Sequence, residues 1–366
     1  MTKLQELAKL GQSIWYDYIR RSFITSGELQ ELIDAGIRGI TSNPTIFEKA
    51  IAGSSDYDEA MQLLVAKDLS VDEIYESIVL EDIGRAADLF LPVYEATDGL
   101  DGYVSLEVSP TLAHDTRGTI DQAERLFAKL NRPNIMIKVP STEEGIPAIT
   151  ALLRKGVNVN VTLMFNLHHY KVVTDAFLTG LEQRLADGND ISKVASVASF
   201  FVSRVDTAVD RELEKIGEKE LQGKIAIANA KIVYEEFGRV FSTPRWQKLA
   251  NAGAKVQRVL WASTGTKNPL YPDTLYVDQL IGEHTINTVP PATLTAFLDH
   301  GTVAVTLTRG LDEAKAHLAR LRELGVDLDA ITEKLQKDGV IAFSDSFEKL
   351  MQAIVNKRDR LLAGKK

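Results

Sequence analysis

The sequence predicts an α/β protein folded as a single (β/α)8 TIM barrel, with additional helices inserted into the barrel and at the C-terminus. Eight short, apolar, β-rich runs alternate with stretches of helical pattern, which indicates a parallel sheet. The strand count and the length of 366 residues suit a closed barrel better than an open doubly wound sheet. We therefore expect one domain over residues 1–366.

The strands are expected where β-formers cluster between turn residues. In chain order these runs are Ser13–Asp17, Gly39–Asn43, Tyr103–Val108, Asn134–Val139, Val157–Leu163, Val194–Val202, Arg258–Ser263 and Thr285–Thr288. Two of the intervening helices carry clear boundary signals. One runs from Ser26 to Ala35 and is closed by Gly36, and the other opens at Thr142 with acidic residues in its first turn and ends at Gly156.

Three regions exceed a minimal barrel. Helical insertions are expected near residues 55–100 and 205–253, and a helical C-terminal extension from about residue 311. The sequence contains neither a Gly-x-Gly-x-x-Gly motif nor a phosphate loop ending in Gly-Lys, which weakens the nucleotide-binding alternatives.

Composition excludes several classes of function. A net charge of −9 argues against nonspecific partners such as nucleic acid or an anionic membrane surface. No run approaches the ~18 apolar residues of a membrane span, and the N-terminal segment Met1–Leu7 lacks the apolar core of a signal peptide. The chain has no cysteine, which excludes disulfides, thiolate metal sites and cysteine nucleophiles. The adjacent His168 and His169 point different ways on a helix, which argues against a metal-ligand pair.

The most informative run is Asn134 to Pro140, a predicted buried strand that carries Lys138 near its end. Burial of an ammonium is costly and favours the neutral amine, which is a nucleophile toward carbonyl groups. The strand therefore suggests Schiff-base chemistry. Taken alone, it is explained at least as well by a lysine that extends from a strand end into solvent.

Other polar residues fall at corresponding ends of the predicted strands. Catalytic groups of a barrel lie at the C-terminal ends of its strands, on the alternate residues that face the interior. Each such residue alone is weak evidence, because a strand-end carboxylate or amide often caps a helix or shapes a turn. Together they concentrate polar groups that a structural core would have to satisfy, which favours an active site. The set is Asp17, Asn43, Glu107, Lys138, Asn160, Thr162, Ser199, Phe201, Arg204 and Ser263, followed by Lys267.

This set supports a specific chemistry. A neutral lysine attacks a ketone to give a carbinolamine and then an imine, whose electron withdrawal allows the adjacent C–C bond to break. The proton transfers need a carboxylate held near neutrality. Amides suit substrate hydroxyls, and the cations and hydroxyls near Arg204 suit a phosphate group.

With these residues the chain resembles the transaldolase family. The matching segments extend in order from the first strand to the seventh: Trp15-Tyr16-Asp17, Gly39 through Phe47 with its Thr-Ser-Asn-Pro core, Ser105 through Val108, Ile135 through Pro140, Asn160 through Leu163, Ser199 through Arg204, and Trp261 through Thr264. The length and the helical insertions resemble the longer, bacterial-type branch.

The resemblance implies a reversible, cofactor-free transfer of a dihydroxyacetone unit from sedoheptulose 7-phosphate to glyceraldehyde 3-phosphate in the non-oxidative pentose phosphate pathway. It implies that Lys138 is the Schiff-base nucleophile and Asp17 the general acid/base of C–C cleavage. Glu107 and Thr162 would hold the water that relays protons. Asn43 and Asn160 would bind hydroxyls of the donor, while Ser199, Arg204 and Ser263 would bind phosphate and Phe201 would shape the pocket.

One feature departs from the family pattern. Many transaldolases carry an arginine soon after the strand-seven serine, whereas the nearest cation here is Lys267, which differs from arginine in phosphate geometry. The resemblance further implies a cytoplasmic enzyme whose partners are sugar phosphates. Whether the chain is a monomer or a homodimer stays open.

Two other functions compete with this interpretation. A fructose-6-phosphate aldolase shares the lysine but releases free dihydroxyacetone; those relatives are much shorter and replace the relay carboxylate by an amide, so Glu107 and the chain length argue against it. A catalytically silent barrel serving as a scaffold would tolerate a broken relay, whereas Asp17, Glu107, Lys138 and Thr162 are all present.

Overall fold

The computed structural model describes residues 1–363 and contains a closed eight-stranded barrel. All neighbouring strands are parallel, and the last strand pairs with the first. The strands are β1 (Gln12–Tyr16), β2 (Gly39–Thr41), β3 (Tyr103–Glu107), β4 (Ile135–Pro140), β5 (Val159–Met164), β6 (Ser196–Phe201), β7 (Arg258–Ala262) and β8 (Thr285–Val289). The predicted (β/α)8 barrel is therefore confirmed, and each predicted strand lies within two residues of an observed one at either end.

Sixteen α-helices surround the barrel in the described part of the chain. They are α1 (Lys3–Lys9), α2 (Arg21–Thr25), α3 (Glu28–Ala35), α4 (Pro44–Ala52), α5 (Asp58–Val65), α6 (Val71–Ala96), α7 (Thr116–Leu130), α8 (Gly145–Lys155), α9 (Leu167–Ala186), α10 (Ser203–Lys215), α11 (Ile225–Val240), α12 (Pro244–Asn251), α13 (Leu275–Asp278), α14 (Pro291–His300), α15 (Leu311–Glu323) and α16 (Leu328–Ala363). A short 3-10 helix, Pro110–Leu112, follows β3.

The regions predicted as helical additions contain α5 and α6, α10 to α12, and α15 and α16. The helix expected to open at Thr142 begins instead at Gly145. The Thr142 hydroxyl accepts a hydrogen bond from the Gly145 amide at 3.0 Å, so this residue terminates the preceding loop rather than starting the helix. Residues 364–366, the end of the predicted domain, lie outside the described range.

The N-terminal end of the barrel is closed by a buried ion pair that the sequence did not reveal. Arg258 donates to Asp101 at 2.9 Å, and both side chains are about 5% exposed. Asp101 also accepts from the Ser13 hydroxyl at 2.6 Å and from the Trp15 indole at 3.1 Å. Apart from Arg258 Nε, which has no hydrogen-bond partner in the described residues, these polar groups bond to one another at the end of the barrel opposite the candidate site.

The C-terminal helix α16 lies across the other end of the barrel. Gln336 donates to main-chain oxygens of Ser141 and Leu163 at 3.0 and 3.2 Å, and Ser346 accepts from the Thr45 hydroxyl at 2.8 Å. At Gly339 the helix passes so close to β5 that an added Cβ would lie 2.9 Å from Leu163 Cδ2. The helix thus forms part of the wall around the C-terminal strand ends.

None of the helices described in residues 1–363 combines the length and the apolar character that a membrane crossing requires.

Candidate active site

A cavity of about 520 Å³ opens at the C-terminal end of the barrel, where the sequence predicts the active site. Most of the predicted residues line it, namely Asp17, Asn43, Lys138, Thr162, Ser199, Phe201, Arg204, Ser263 and Lys267. Strands β1, β2, β4, β5, β6 and β7 and the segments that follow them contribute these side chains, with Arg204 in the first turn of α10 and Lys267 in the loop after β7. Glu107 and Asn160 are the two predicted residues that do not line the cavity.

Lys138 lies in the floor of this cavity and is 5% exposed. Its Nζ donates to the main-chain oxygen of Ser42 at 3.1 Å and lies 3.9 Å from Glu107 Oε2. The register of the barrel explains this neighbourhood, because Lys138 pairs with Glu107 on one side and with Asn160 on the other. The amine is therefore held by a neutral main-chain acceptor, with a carboxylate nearby but beyond hydrogen-bond distance.

Burial raises the pKa of Glu107 to about 7, with the Lys138 charge opposing the shift and the Asp17 charge adding to it. A carboxyl group that titrates near neutrality can both give and take a proton at physiological pH. Its Oε2 atom is buried and has no hydrogen-bond partner within residues 1–363, and the same is true of Thr162 Oγ1. Because buried polar atoms are normally hydrogen-bonded, each of these two atoms has the capacity to bind a water molecule.

The backbone around Thr162 is irregular in a way that the sequence pattern did not predict. The register between β5 and β6 shifts between Val161 and Met164, and Leu163 has a φ of 62°. Such bulges re-aim side chains next to active sites. Ser263, directly after β7, also has a positive φ of 56°.

Asp17 lies just beyond β1 and accepts a hydrogen bond from the Thr41 hydroxyl at 2.7 Å. Burial raises its pKa, while the charge of Lys138, the Thr41 hydrogen bond and the charge of Lys267 oppose that shift. The result is a carboxyl group whose proton is held more tightly than usual and which faces the same cavity as Lys138.

The two predicted amides differ in their availability. Asn43 uses its Oδ1 to cap α4 by accepting from the Ile46 amide, yet it still lines the cavity. Asn160 is fully buried: its amide donates to Ser105 Oγ at 3.0 Å, and its Oδ1 accepts from the Ser199 hydroxyl at 2.6 Å. Asn160 therefore supports the floor beneath Lys138 and, in this arrangement, has no exposed face for a substrate hydroxyl.

A cationic corner forms the far side of the cavity. The Arg204 guanidinium lies over the ring of Phe201, with 5.5 Å to the centroid, and over the ring of Phe343 from α16, with 6.0 Å. Burial alone lowers the pKa of Arg204, so no carboxylate in the described residues offsets it. An arginine without an acidic partner, stacked between two rings, is a suitable binding group for phosphate.

Three serine hydroxyls and a second cation lie near this corner, and they differ in exposure and in hydrogen bonding. Ser203 Oγ and Ser263 Oγ are hydrogen-bonded at 3.0 Å, and Ser203 was not among the predicted residues. The Ser199 hydroxyl donates a hydrogen bond to Asn160 Oδ1, so in this arrangement it can only accept a hydrogen bond from a ligand. Lys267 is exposed at the rim. Of the two cations at this corner, Arg204 is thus the more enclosed.

Phe343 is the cavity residue that sequence reasoning missed most completely. It is 5% exposed and belongs to α16, which carries no motif of its own. Only the packing of that helix over β5 and α4 brings the ring to the site. Thr41 also lines the cavity, and its hydroxyl donates a hydrogen bond to the Asp17 carboxylate.

Comparisons with known proteins point to a single family. The family described as "Transaldolase/Fructose-6-phosphate aldolase" matches residues 14–354. A transaldolase of Parafrankia sp. (strain EAN1pec) is 51% identical over 356 residues, with 96% of each chain covered. A transaldolase of Thermobifida fusca is 50% identical, covering 96% of this chain and 97% of its own. A transaldolase of Trichodesmium erythraeum is 46% identical, with 98% of each chain covered.

Proposed function

Because this chain belongs to the transaldolase/fructose-6-phosphate aldolase family, we propose that it transfers a dihydroxyacetone unit between sugar phosphates with Lys138 as the Schiff-base nucleophile. Family membership and the curated relatives support transaldolase activity, a transferase reaction. The donor is sedoheptulose 7-phosphate and the acceptor glyceraldehyde 3-phosphate, and the products are erythrose 4-phosphate and fructose 6-phosphate.

The observation that carries the assignment to Lys138 is its position. The amine is buried in the floor of the cavity, hydrogen-bonded to a neutral main-chain oxygen and 3.9 Å from a carboxylate. Attack of its lone pair on the donor carbonyl forms the N–C bond of a carbinolamine. Loss of the former carbonyl oxygen as water then gives the imine.

Glu107 and Thr162 handle the protons of these steps in our proposal. A water held between Glu107 Oε2 and Thr162 Oγ1 takes a proton from the amine and returns one to the departing hydroxyl. The pKa of Glu107, raised to about 7, suits both directions of transfer.

Asp17 carries C–C cleavage. Its carboxylate removes the proton from the donor hydroxyl, the C–C bond breaks, and its electrons move into the imine to give an enamine and a free aldehyde. The raised pKa of Asp17 favours accepting that proton. Addition of a new aldehyde reverses these steps, and hydrolysis of the imine releases the product ketose.

Arg204 binds the phosphate of donor and acceptor, supported by the rings of Phe201 and Phe343. Ser263 and Lys267 contribute a hydroxyl and a second charge at the same side of the cavity. Asn43 binds a hydroxyl of the dihydroxyacetone unit, and Asn160 fixes the floor under the nucleophile. No organic cofactor or metal ion takes part in this scheme.

Reduction of the imine tests this proposal. Treatment with borohydride and fructose 6-phosphate should place a reduced dihydroxyacetone adduct on the peptide that contains Lys138, as read by mass spectrometry. Lys49 lines the same cavity and is exposed, so Lys49→Ala provides a matched control that keeps the adduct. An adduct that persists in Lys138→Ala would disprove the assignment.

The family description also names fructose-6-phosphate aldolase, which the same protein sample can distinguish. We expect slow release of dihydroxyacetone from fructose 6-phosphate without an acceptor, because the enamine waits for an aldehyde. Steady release of dihydroxyacetone would favour the aldolase. We further propose a cytoplasmic location and sugar phosphates as the only partners required for activity, with the chain acting as a monomer or homodimer.

A further inference from the structure

A second cavity, of about 350 Å³, lies behind the active site between β3 and the helices α6, α7 and α16. We call it the rear cavity. Its lining includes Asp72, Tyr75, Leu106, Glu107, Thr111 and Phe347.

Glu107 joins this rear cavity to the catalytic lysine. Its carboxylate lies 3.9 Å from Lys138 Nζ, yet Glu107 lines the rear cavity and not the cavity that receives the substrate. Burial raises the pKa of Tyr75, a second lining residue, and the charge of Glu107 adds to this shift. The relay carboxylate thus borders on space that the substrate does not occupy.

The rear cavity has an apolar interior and a polar mouth. Phe347 packs edge-to-face on Tyr75, with 5.4 Å between ring centroids, and Leu106 is buried beside them. Asp72 and Thr111 are exposed and mark the opening to solvent. The rear cavity therefore extends from Glu107 to the protein surface beside Asp72 and Thr111.

The reaction requires movement of water next to Glu107. Each imine formed expels the carbonyl oxygen of the ketose as one water molecule, and each hydrolysis consumes one. During these steps the ketose, covalently bound to Lys138, occupies the front cavity, where its phosphate binds Arg204. Water leaving through the front would have to pass the bound sugar phosphate.

We propose that the rear cavity is the passage through which the water of imine formation and hydrolysis exchanges with solvent. Glu107 is the group at its inner end, and α6 and α16 supply the walls through Tyr75 and Phe347. The inference rests on the proposed Schiff-base function of Lys138 and adds the route of its water.

Oxygen isotope exchange tests the passage. Fructose 6-phosphate labelled with ¹⁸O at C2 is incubated in ordinary water at saturating concentration without acceptor, and loss of label is measured by mass spectrometry. The rate is divided by the rate of imine formation, obtained from borohydride trapping. Lys138→Ala gives the uncatalysed background. This ratio reports where the expelled water goes, and a general loss of activity does not change it.

Substitutions at the mouth should change the ratio. Thr111→Trp and Asp72→Trp each place a large ring at the opening from opposite sides and replace exposed residues, so the fold should be kept. His114→Trp is the matched control, because His114 is exposed nearby but does not line the rear cavity. Thermal unfolding confirms that the variants are folded.

In both mouth variants we expect the label loss per imine formed to be several-fold lower than in the wild type. In the control variant His114→Trp we expect it to equal the wild-type value. Equal ratios in all folded variants would overturn the rear passage, and so would a wild-type enzyme that returns the label without exchange. Absence of any borohydride adduct would instead refute the Schiff-base function itself. If one of the two mouth variants does not fold, the label loss per imine of the other variant tests the passage.

Discussion

The Lys138 amine lies 3.9 Å from the Glu107 carboxylate, at the same level of the neighbouring strands β4 and β3. The distance is short enough for strong electrostatic coupling and too long for a hydrogen bond. A water molecule that also contacts Thr162 would complete the path for a proton between the two groups. The spacing therefore predicts that imine formation depends on the protonation state of Glu107.

The pH dependence of imine formation should follow Glu107. Burial raises its pKa to about 7, so the carboxylate that accepts the proton of the amine is formed as the pH rises through that value. We expect kcat/KM for fructose 6-phosphate to increase with pH around 7. In Glu107→Gln this inflection should vanish and kcat should fall by ~10²–10⁴, the usual contribution of general acid–base catalysis.

The same shift has a consequence for stability. The unfolded chain releases the Glu107 proton near 4.5 and the folded chain near 7, so the folded chain holds the extra proton between these values. Stability therefore falls as the pH rises through that window. Glu107→Gln should lose this part of the pH dependence in urea unfolding measurements. An unchanged slope would show that the Glu107 carboxyl is not buried as described.

Asp17→Asn should stop the reaction after imine formation. The amide cannot accept the donor hydroxyl proton, while Lys138 and the Glu107 relay are intact. Borohydride should then trap the whole ketose phosphate on Lys138, whereas the wild type yields the dihydroxyacetone adduct. Mass spectrometry separates the two. A dihydroxyacetone adduct formed at the wild-type rate in Asp17→Asn would assign C–C cleavage to another group.

Arg204→Gln should weaken binding of phosphorylated substrates selectively. Loss of one charge-assisted contact of ~1.5–3 kcal/mol corresponds to a rise in KM of ~10–150-fold for fructose 6-phosphate. The unphosphorylated ketose should be affected much less. Lys267→Gln is the informative comparison, because the exposed Lys267 should cost less than the ring-stacked Arg204. A larger effect at Lys267 would move the phosphate site toward the rim.

The buried ion pair between Arg258 and Asp101, at the N-terminal end of the barrel, should affect folding stability and leave the catalysed reaction unchanged. Asp101→Ala leaves the Arg258 charge buried without its partner, which costs about 3–5 kcal/mol of unfolding free energy. We expect KM to stay unchanged for protein that remains folded. The double variant Asp101→Leu/Arg258→Met should recover much of the loss, because it leaves no unpaired charge. Denaturant unfolding of the wild type, the single variant and the double variant measures the loss of stability and its recovery.

The sequence predicted the barrel and most of the site because both depend on local, periodic patterns. Each strand is short, apolar and bounded by turn residues, and the parity of strand residues places Lys138 and Glu107 on the interior face. It did not predict that Asn160 is enclosed by two hydroxyls, since that depends on the stagger between three strands.

Long-range packing accounts for the other omissions. Arg258 and Asp101 are far apart in the sequence, and neither lies in a motif that would connect them. Phe343 reaches the site because α16 crosses the strand ends. The helical pattern of the residues beyond about 311 predicts a helix but does not specify where on the barrel it packs.

The position of Phe343 has a consequence for biosynthesis. Asp17 leaves the ribosome more than 300 residues before Phe343, which stacks on Arg204 at the same cavity. A barrel that has already closed its strands during translation still lacks one wall of its substrate site. Competence to bind sugar phosphates is therefore delayed until α16 has been synthesised and has docked, and messages truncated before α16 should yield barrels without catalysis.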